Sequence, residues 1–473
     1  MPINYTDQLR LAYLRAAIAG QSETESKIAA YRDFYDGEQG VELSDRQKEY
    51  LTGRGDSIDV ESFANICKRV VNLPKDRLSL SAQGIAPADE TASDYASAVT
   101  AWWNAGQLEA SQGDVYEAAL RDGAAALIVG WNGDVPTFTP NLVYDGETGL
   151  VRFHYDTDGA LIAASKRWNK WDPVNLRETG KTRLNLYLDD RIERFEADAN
   201  AAGGWRLLRG EEVSAENGGQ ITTNPQPWLD RDNRPLGIPV IPFENPPGSE
   251  LADVLNIQKL LNHGLGTFDT AIDHHAWPVL WASGVDLPLN SDGEQYIPDY
   301  GPAQMITVAQ GGQVGRLDPA DLVRLFQSGV LSWLHILAIV KGWPLFVLDR
   351  SATPPSGIAL KIMEGSLTAQ IADKQRAFGG DWERAFDVGR KLHRLYTGEE
   401  LPGQLDLTWQ SFEVVDEPAH AEAQAKRWEG AQVPTLMRWR EAGYTTEQME
   451  QMMADKRRED EFGLADVVTG IEQ

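Results

Sequence analysis

Three long runs of helical periodicity follow one another between Glu250 and Tyr396, and the rest of the chain has to be arranged around them. In the first, Leu251, Val254, Leu255, Gln258, Leu261, Leu265, Phe268 and Ile272 recur three or four apart, which predicts a helix with one mostly apolar stripe from about Glu250 to His275. Straight, it would be roughly 40 Å long. The second starts at Pro319, a favourable first helical residue, and runs to about Gly342 with Leu322, Leu325, Phe326, Val330, Leu334, Leu337 and Val340 as its apolar members. The third runs from Ile358 to about Tyr396 through Ile362, Leu367, Ile371, Phe378, Trp382, Phe386 and Leu395. It would extend on the order of 60 Å, with a bend expected at Gly379-Gly380. What separates the helices differs. Residues 281–318 are rich in Gly, Pro and Asp with short apolar pieces such as QMITVA, and read as a small strand-and-loop module. The second and third helices are parted by DRSATPPSGIALK, Asp349 to Lys361, where two adjacent prolines make a stiff break.

The remainder divides by texture. Helical spacing runs from Leu9 to Tyr35 and returns from Asp89 to Trp131. Between Trp131 and Glu244 the chain alternates, in LVRFHYD, RLNLYL and RIERFEA, with turn chemistry at Asp145-Gly146, Asp158-Gly159 and Gly203-Gly204. This section is β-rich, and its exit, GIPVIPFENPPG, reads as a proline-stiffened extended connection. LDLTWQSFEV reads as a strand, and Glu417 to Glu461 as two or three short helices with a cap signal at Thr445-Thr446. The fold class is α+β, mainly helical, and no fixed-period repeat is present.

Charge narrows the function. Lys and Arg number 44 against 71 Asp and Glu, a net charge of −27. A nucleic-acid clamp needs neutralising cations and is disfavoured, whereas an acidic wall leaves a passing polyanion mobile. From Glu250 to Asp318 the acids Glu250, Asp253, Asp269, Asp273, Asp286, Asp292, Glu294, Asp299 and Asp318 face only Lys259 and Arg316. The single cysteine, Cys67, precludes an internal disulfide and fits a reducing compartment. The N-terminal MPINYTDQLRLAYLRAA has no continuous apolar segment of the export-signal type. The most apolar window, Val330 to Val347, contains Ser332, His335, Lys341 and Pro344 and suits a packed helix better than a membrane span. The 15 tryptophans suit core filling first and subunit contacts second.

Catalytic motifs are weak. Gly180-Lys181-Thr182 ends like a phosphate-binding loop, but Asn175 stands where that loop needs glycine, and neither flank is the required strand or helix. A hairpin turn is the expected reading. Asp273-His274-His275 offers divalent-metal ligands, and a metal-dependent phosphoesterase centred on Asp273 and His274 is one alternative function; such sites need further ligands from other loops. Arg54-Gly55-Asp56 reads as a turn. Gly-x-Ser-x-Gly, HExxH and CxxC motifs are absent. Neither catalytic residues nor a cofactor or metal is expected, and the chain reads as a non-enzyme.

Several pieces occurring in order along the chain resemble the tailed-bacteriophage portal proteins, of the Gp6-like siphophage type. They are Tyr31 to Gln39 (YRDFYDGEQ), Asn65 to Val71 (NICKRVV) with Asp76-Arg77-Leu78, Gly237 to Asn245 (GIPVIPFEN), Ser356 to Lys361 (SGIALK), and Ala442 to Gln448 (AGYTTEQ). The resemblance implies a portal fold and a ring, of twelve copies in that family, at one capsid vertex. Residues 1–249 would form a wing, with its β-rich part at about 131–249; 250–280 and 319–343 stem helices; 281–318 a clip; 344–357 a tunnel loop; 358–416 a long helix returning to the wing; and 417–473 a crown. The loop would present Asp349, Arg350, Ser351, Ala352, Thr353, Pro354 and Pro355 to DNA in the channel. Val254, Leu261, Leu265, Phe268, Leu325, Val330, Leu334 and Leu337 would pack the stem. The implied partners are further copies of the chain, double-stranded DNA, terminase, head-to-tail connector or adaptor proteins, and major capsid and scaffolding proteins, with no membrane. The implied location is the virion, and the host cytoplasm during assembly. A head-to-tail adaptor or other minor capsid protein is the other alternative, disfavoured by length.

Overall fold

The computed structural model describes residues 22–39, 64–144, 149–172, 175–198, 204–216, 221–246, 248–276, 280–283, 312–316, 322–344 and 357–411, with a few short pieces nearer the ends. Helices and antiparallel sheets build an α+β fold. Helix α1 (Ser22–Asp36) and helix α2 (Ile66–Lys75) precede strand β1 (Leu80–Pro87). Helix α3 (Ser93–Ala105) and helix α4 (Leu108–Asp122) then lead into β2 (Ala124–Trp131). The helical reading of Asp89 to Trp131 therefore fails over its last eight residues. Gly123 stops α4 with φ of 95°, a left-handed cap that only glycine adopts freely. AAALIVGW then becomes the central strand of a three-stranded sheet, β10–β2–β3, with β3 spanning Pro136–Leu142 and β10 Val240–Glu244. A strand covered on both faces has no alternation to betray it. The proline-rich exit is corrected too: it is the edge strand β10, and Pro242 is tolerated because only one side of that strand bonds a neighbour.

The β-rich section forms a second sheet in chain order: β4 (Gly149–Tyr155), β5 (Leu161–Asp172), β6 (Arg177–Tyr187), β7 (Arg191–Asp198) and β8 (Arg206–Leu207), with β9 (Gln226–Pro227) also paired to β7. A short helix, α5 (Gly210–Glu216), lies between β8 and β9. Ala163, Leu184, Leu186, Leu188 and Phe195 give one face of this sheet its own small core. The chain then enters α6 (Leu255–Ala276), β11 (Leu280–Ser283), β12 (Gln313–Arg316), α7 (Leu322–Lys341), α8 (Gly357–Thr397) and β13 (Leu405–Trp409). All three long helices lie where the apolar spacing places them. Helix α8, 41 residues and about 60 Å long, continues unbroken through Gly379-Gly380. Of LDLTWQSFEV, expected as a strand, Leu405–Trp409 form β13, which pairs with β1 and joins early and late parts of the chain.

The main core forms where the second half of α8 crosses α3, α4 and the three-stranded sheet. Trp382 stacks on Phe386 at 5.6 Å and meets Trp103 and Phe243 edge-on, each at 5.3 Å. Its indole N–H donates to Tyr116 Oη at 2.9 Å, and Tyr116 in turn donates to Gln112. Gln112 closes the chain of bonds by pairing with both backbone polar groups of Leu80. Buried aromatic polar groups are thus satisfied, which lets tryptophan serve as core. Trp102, Trp103, Trp228, Trp343 and Trp382 are all buried, matching the first of the two roles read from their number. Cys67 is fully buried, and burial pushes its thiol up to about 12.

Candidate assembly and channel surfaces

Helices α6 and α7 form an antiparallel hairpin. Gly264 of α6 lies against Trp333 of α7, while Glu250, just before α6, bonds Lys341 at the end of α7. The β11–β12 ladder, Leu280 opposite Arg316 through Ser283 opposite Gln313, continues the pair at the far end. Close approach of the helices depends on Gly264: a Cβ there would lie 2.1 Å from the Trp333 ring. Glycine in a helix costs about 1 kcal/mol against alanine, so the contact it permits has to return more than that.

Two buried polar clusters root this hairpin in the body. Lys341 donates to the Glu250 carbonyl at 2.9 Å and to its carboxylate, and Lys374 of α8 reaches the same carboxylate and Asn245 Oδ1, each at 2.6 Å. Burial alone would raise the Glu250 carboxyl; the two ammonium groups outweigh it and hold the group at about 2. The second cluster runs from α6 to the N-terminal helices. Gln258 accepts from the Ile66 N–H at 2.9 Å and donates to Ala64 O and Asn262, and Asn262 donates to Gln39. Neither cluster was read from the sequence, although Lys341, the one lysine in the apolar second run, was its available signal.

The expected stem residues divide along the hairpin. Val254, Leu261 and Leu337 are buried within the chain, at the root. Leu265, Phe268, Val330 and Leu334 are half-buried, and Leu325 lies on α7 with its side chain outside the described residues. The apolar side chains left open are different ones. On α7, Ile339 is 79% exposed, Ile336 and Val340 48% and Leu331 38%, with Leu260 of α6 at 54%. At 100° per residue, Ile339 lies opposite the side of Val330, Leu334 and Leu337, and Ile336 and Val340 lie on the flank between, Val340 about 60° from Leu337. The apolar surface of α7 therefore continues round one flank beyond the side the chain covers, next to the exposed Ser332 and His335.

Other residues singled out in the sequence are placed as follows. Asp349 to Pro355 lie outside the described residues, as do Arg54-Gly55-Asp56 and most of 417–473. Asp273 and His274 are on the last turn of α6, with side chains outside the described set; among the described residues no group of three or more His, Cys, Asp or Glu could hold a metal. Gly180-Lys181-Thr182 is not a turn but part of β6, and Lys181 Nζ pairs with Glu196 at 3.0 Å. Glu250, counted above among unopposed acids, is neutralised by two lysines and cannot line a channel; Asp253 is exposed. No helix among the described residues is long and apolar enough to cross a membrane.

A cleft of about 1010 Å³ lies where β10, the start of β5, the end of β6 and α8 meet. It carries apolar walls and a rim of both charges. Nearby, Asp381 is buried beside Arg384 and faces Glu244, which accepts from Tyr155 Oη at 2.6 Å; burial pushes the Asp381 carboxyl up to about 6. No known family matches the chain, and no characterised protein matches it in sequence.

Proposed function

We propose that the chain is a portal subunit of a tailed bacteriophage: a non-enzymatic ring component that conducts double-stranded DNA during packaging and ejection. Terminase and head-to-tail connector proteins would dock on it, and capsid and scaffolding proteins surround it. The observation that carries this reading is the uncovered apolar flank of α7, Ile336, Ile339 and Val340. A helix whose apolar surface is wider than the stripe its own chain covers has more to bury. Covering these side chains is worth about 2 kcal/mol each, and head-to-tail copies that close by rotation cover every such face without leaving a free edge.

Two further features support it. The net charge of −27 suits a bore that repels a polyanion and so leaves it free to slide. The ordered series of sequence pieces resembling portals supplies the assignment of α6 and α7 to a stem, of 281–318 to a clip, and of Asp349 to Pro355 to a loop brushing the DNA. Two adjacent prolines restrict that loop in both free and DNA-contacting states.

Electron microscopy of the purified protein tests the reading. It predicts annular particles with a central hole, and a compact monomer at micromolar concentration overturns it. Excision of Ser351 to Pro355 is expected to leave the annulus intact and impair packaging or genome retention; unimpaired packaging removes the loop from the mechanism.

A further inference from the structure

The second sheet meets the body at a cavity of about 540 Å³, and three elements each bring a titratable group to it. Tyr155 is the last residue of β4, Glu244 the last of β10, and Asp381 and Arg384 lie one turn apart on the same side of α8. The other walls add little charge. Gly123 and Ala124, where α4 passes into β2, carry none. The β4–β5 turn contributes Gly159; its Asp158 is exposed, and its Asp156 carboxylate is taken up by two N–H groups of the same turn. Lys374, two turns earlier on α8, is committed to Glu250 and Asn245.

The four groups differ in how firmly they are held. The Asp381 side chain is 6% exposed, whereas that of Arg384 is 59% exposed and has room to turn. Glu244 is exposed and accepts from Tyr155 Oη at 2.6 Å. Two carboxylates thus share one guanidinium: among the described residues Arg384 is the only cation paired with either, and it is paired with Asp381. Burial explains that choice. A carboxylate withdrawn from water and left without a partner costs more than one still in water, so the cation stays with Asp381 while both acids are ionised. The bond it makes there is internal to α8 and ties the helix to neither sheet.

A proton on Asp381 reverses the choice. The neutral acid suits its buried position and no longer attracts the guanidinium, which leaves Glu244 as the one carboxylate facing Arg384 across the cavity. Burial and the bonded Glu244 raise the Tyr155 phenol, and the charge of Arg384 acts on it in the opposite direction, so the guanidinium's field already covers the Tyr155–Glu244 pair. We propose that this cavity is a proton-operated latch: when Asp381 takes a proton from solvent, Arg384 passes from Asp381 to Glu244 and joins α8 to β10 and, through Tyr155, to the edge strand of the second sheet. No covalent bond other than that to the added proton forms or breaks. The latch lies within one chain and is independent of the ring reading.

Its working range follows from the buried acid. Burial raises the Asp381 carboxyl to about 6 against the pull of Arg384, with Glu244 adding to the rise. An unfolded aspartate titrates at roughly 3.9. A carboxyl raised on folding contributes stability that is complete below the unfolded value and is lost as pH rises through the folded one, so the latch closes as pH falls through about 6. His154, next to Tyr155 on β4, works the other way: burial and Arg152 hold its imidazole below the ordinary range, and its protonation loosens β4.

Hydrogen exchange of the full-length protein at about pH 7.5 and about pH 5, corrected for the intrinsic pH dependence of exchange, tests the latch. Protection of the β4 peptide is expected to rise about threefold on acidification, the scale of one exposed ion pair. Asp381→Asn, neutral at both pH values, should show the higher protection throughout. Glu244→Gln removes the receiving carboxylate and should abolish the rise. A wild-type β4 whose protection is flat or falls over this window overturns the latch without recourse to a variant. A rise that persists in Asp381→Asn assigns the proton elsewhere, and one that persists in Glu244→Gln rules out the transfer of Arg384; either result overturns the proposal.

Discussion

In the body, α8 turns Phe378, Trp382 and Phe386 inward against Trp103, Tyr116 and Phe243, and every one of these side chains is buried. In the α6–α7 hairpin the same chain leaves Ile336, Ile339 and Val340 facing outward on a helix whose other side is already packed. The body finishes its core alone. The hairpin does not, although it is rooted as firmly, through Glu250 with its two lysines and through Gln258 with Asn262. A rigidly held apolar surface loses little freedom when it is covered, which is what the proposed ring contact requires.

Breaking the body side of this contrast should have the largest effect. Trp382→Ala removes the centre of the aromatic cluster and leaves Tyr116 without its indole donor, for an expected loss of about 4 kcal/mol in denaturant unfolding. Next comes the root. Glu250→Gln leaves Lys341 and Lys374 as buried cations with no carboxylate, which should cost about 3 kcal/mol. Hydrogen exchange should show α7 opening before the body. The same carboxyl gives a pH signature. Its folded value near 2 lies below the roughly 4.3 of an unfolded glutamate, so its contribution is present above that higher value and is lost as pH falls toward 2. Wild-type stability should therefore decline through that window more steeply than the stability of Glu250→Gln; parallel profiles would remove Glu250 from the account.

Within the hairpin, Gly264→Ala should separate α6 from α7 at Trp333 and cost about 2 kcal/mol, with protection lost on α7 and retained around Trp382. Loss of protection in both regions would mean that hairpin and body are one cooperative unit. The smallest effect on the fold sharpens the comparison most. Ile339→Ser, at the most exposed of the α7 side chains, should change unfolding of the single chain by less than about 0.5 kcal/mol while sharply weakening self-association, read by sedimentation.

Much of this was legible in the sequence, for reasons that differ by region. The three long helices announce themselves because apolar spacing of three and four is sustained over many turns, and the second sheet because LVRFHYD, RLNLYL and RIERFEA alternate between one buried and one open face. Ala124 to Trp131 was misread because a strand covered on both sides carries no period, and Val240 to Glu244 because prolines signal a connection except at a sheet edge. Glu250 was counted among acids faced only by Lys259 and Arg316 because its partners, Lys341 and Lys374, are 91 and 124 residues away. The stem packing that the resemblance implied for Leu337 did not distinguish contacts within the chain from contacts between copies; the fold buries Leu337 and turns Ile336 and Ile339 outward.

The central claim is that copies of this chain cover the open face of α7 for one another in a closed ring. The mass of the purified protein at micromolar concentration, by native mass spectrometry or mass photometry, tests it most directly. The account predicts one dominant species at an integral multiple of 52.4 kDa, twelvefold by the family resemblance, that falls apart on Ile339→Ser. A wild-type chain that stays at 52.4 kDa would contradict it.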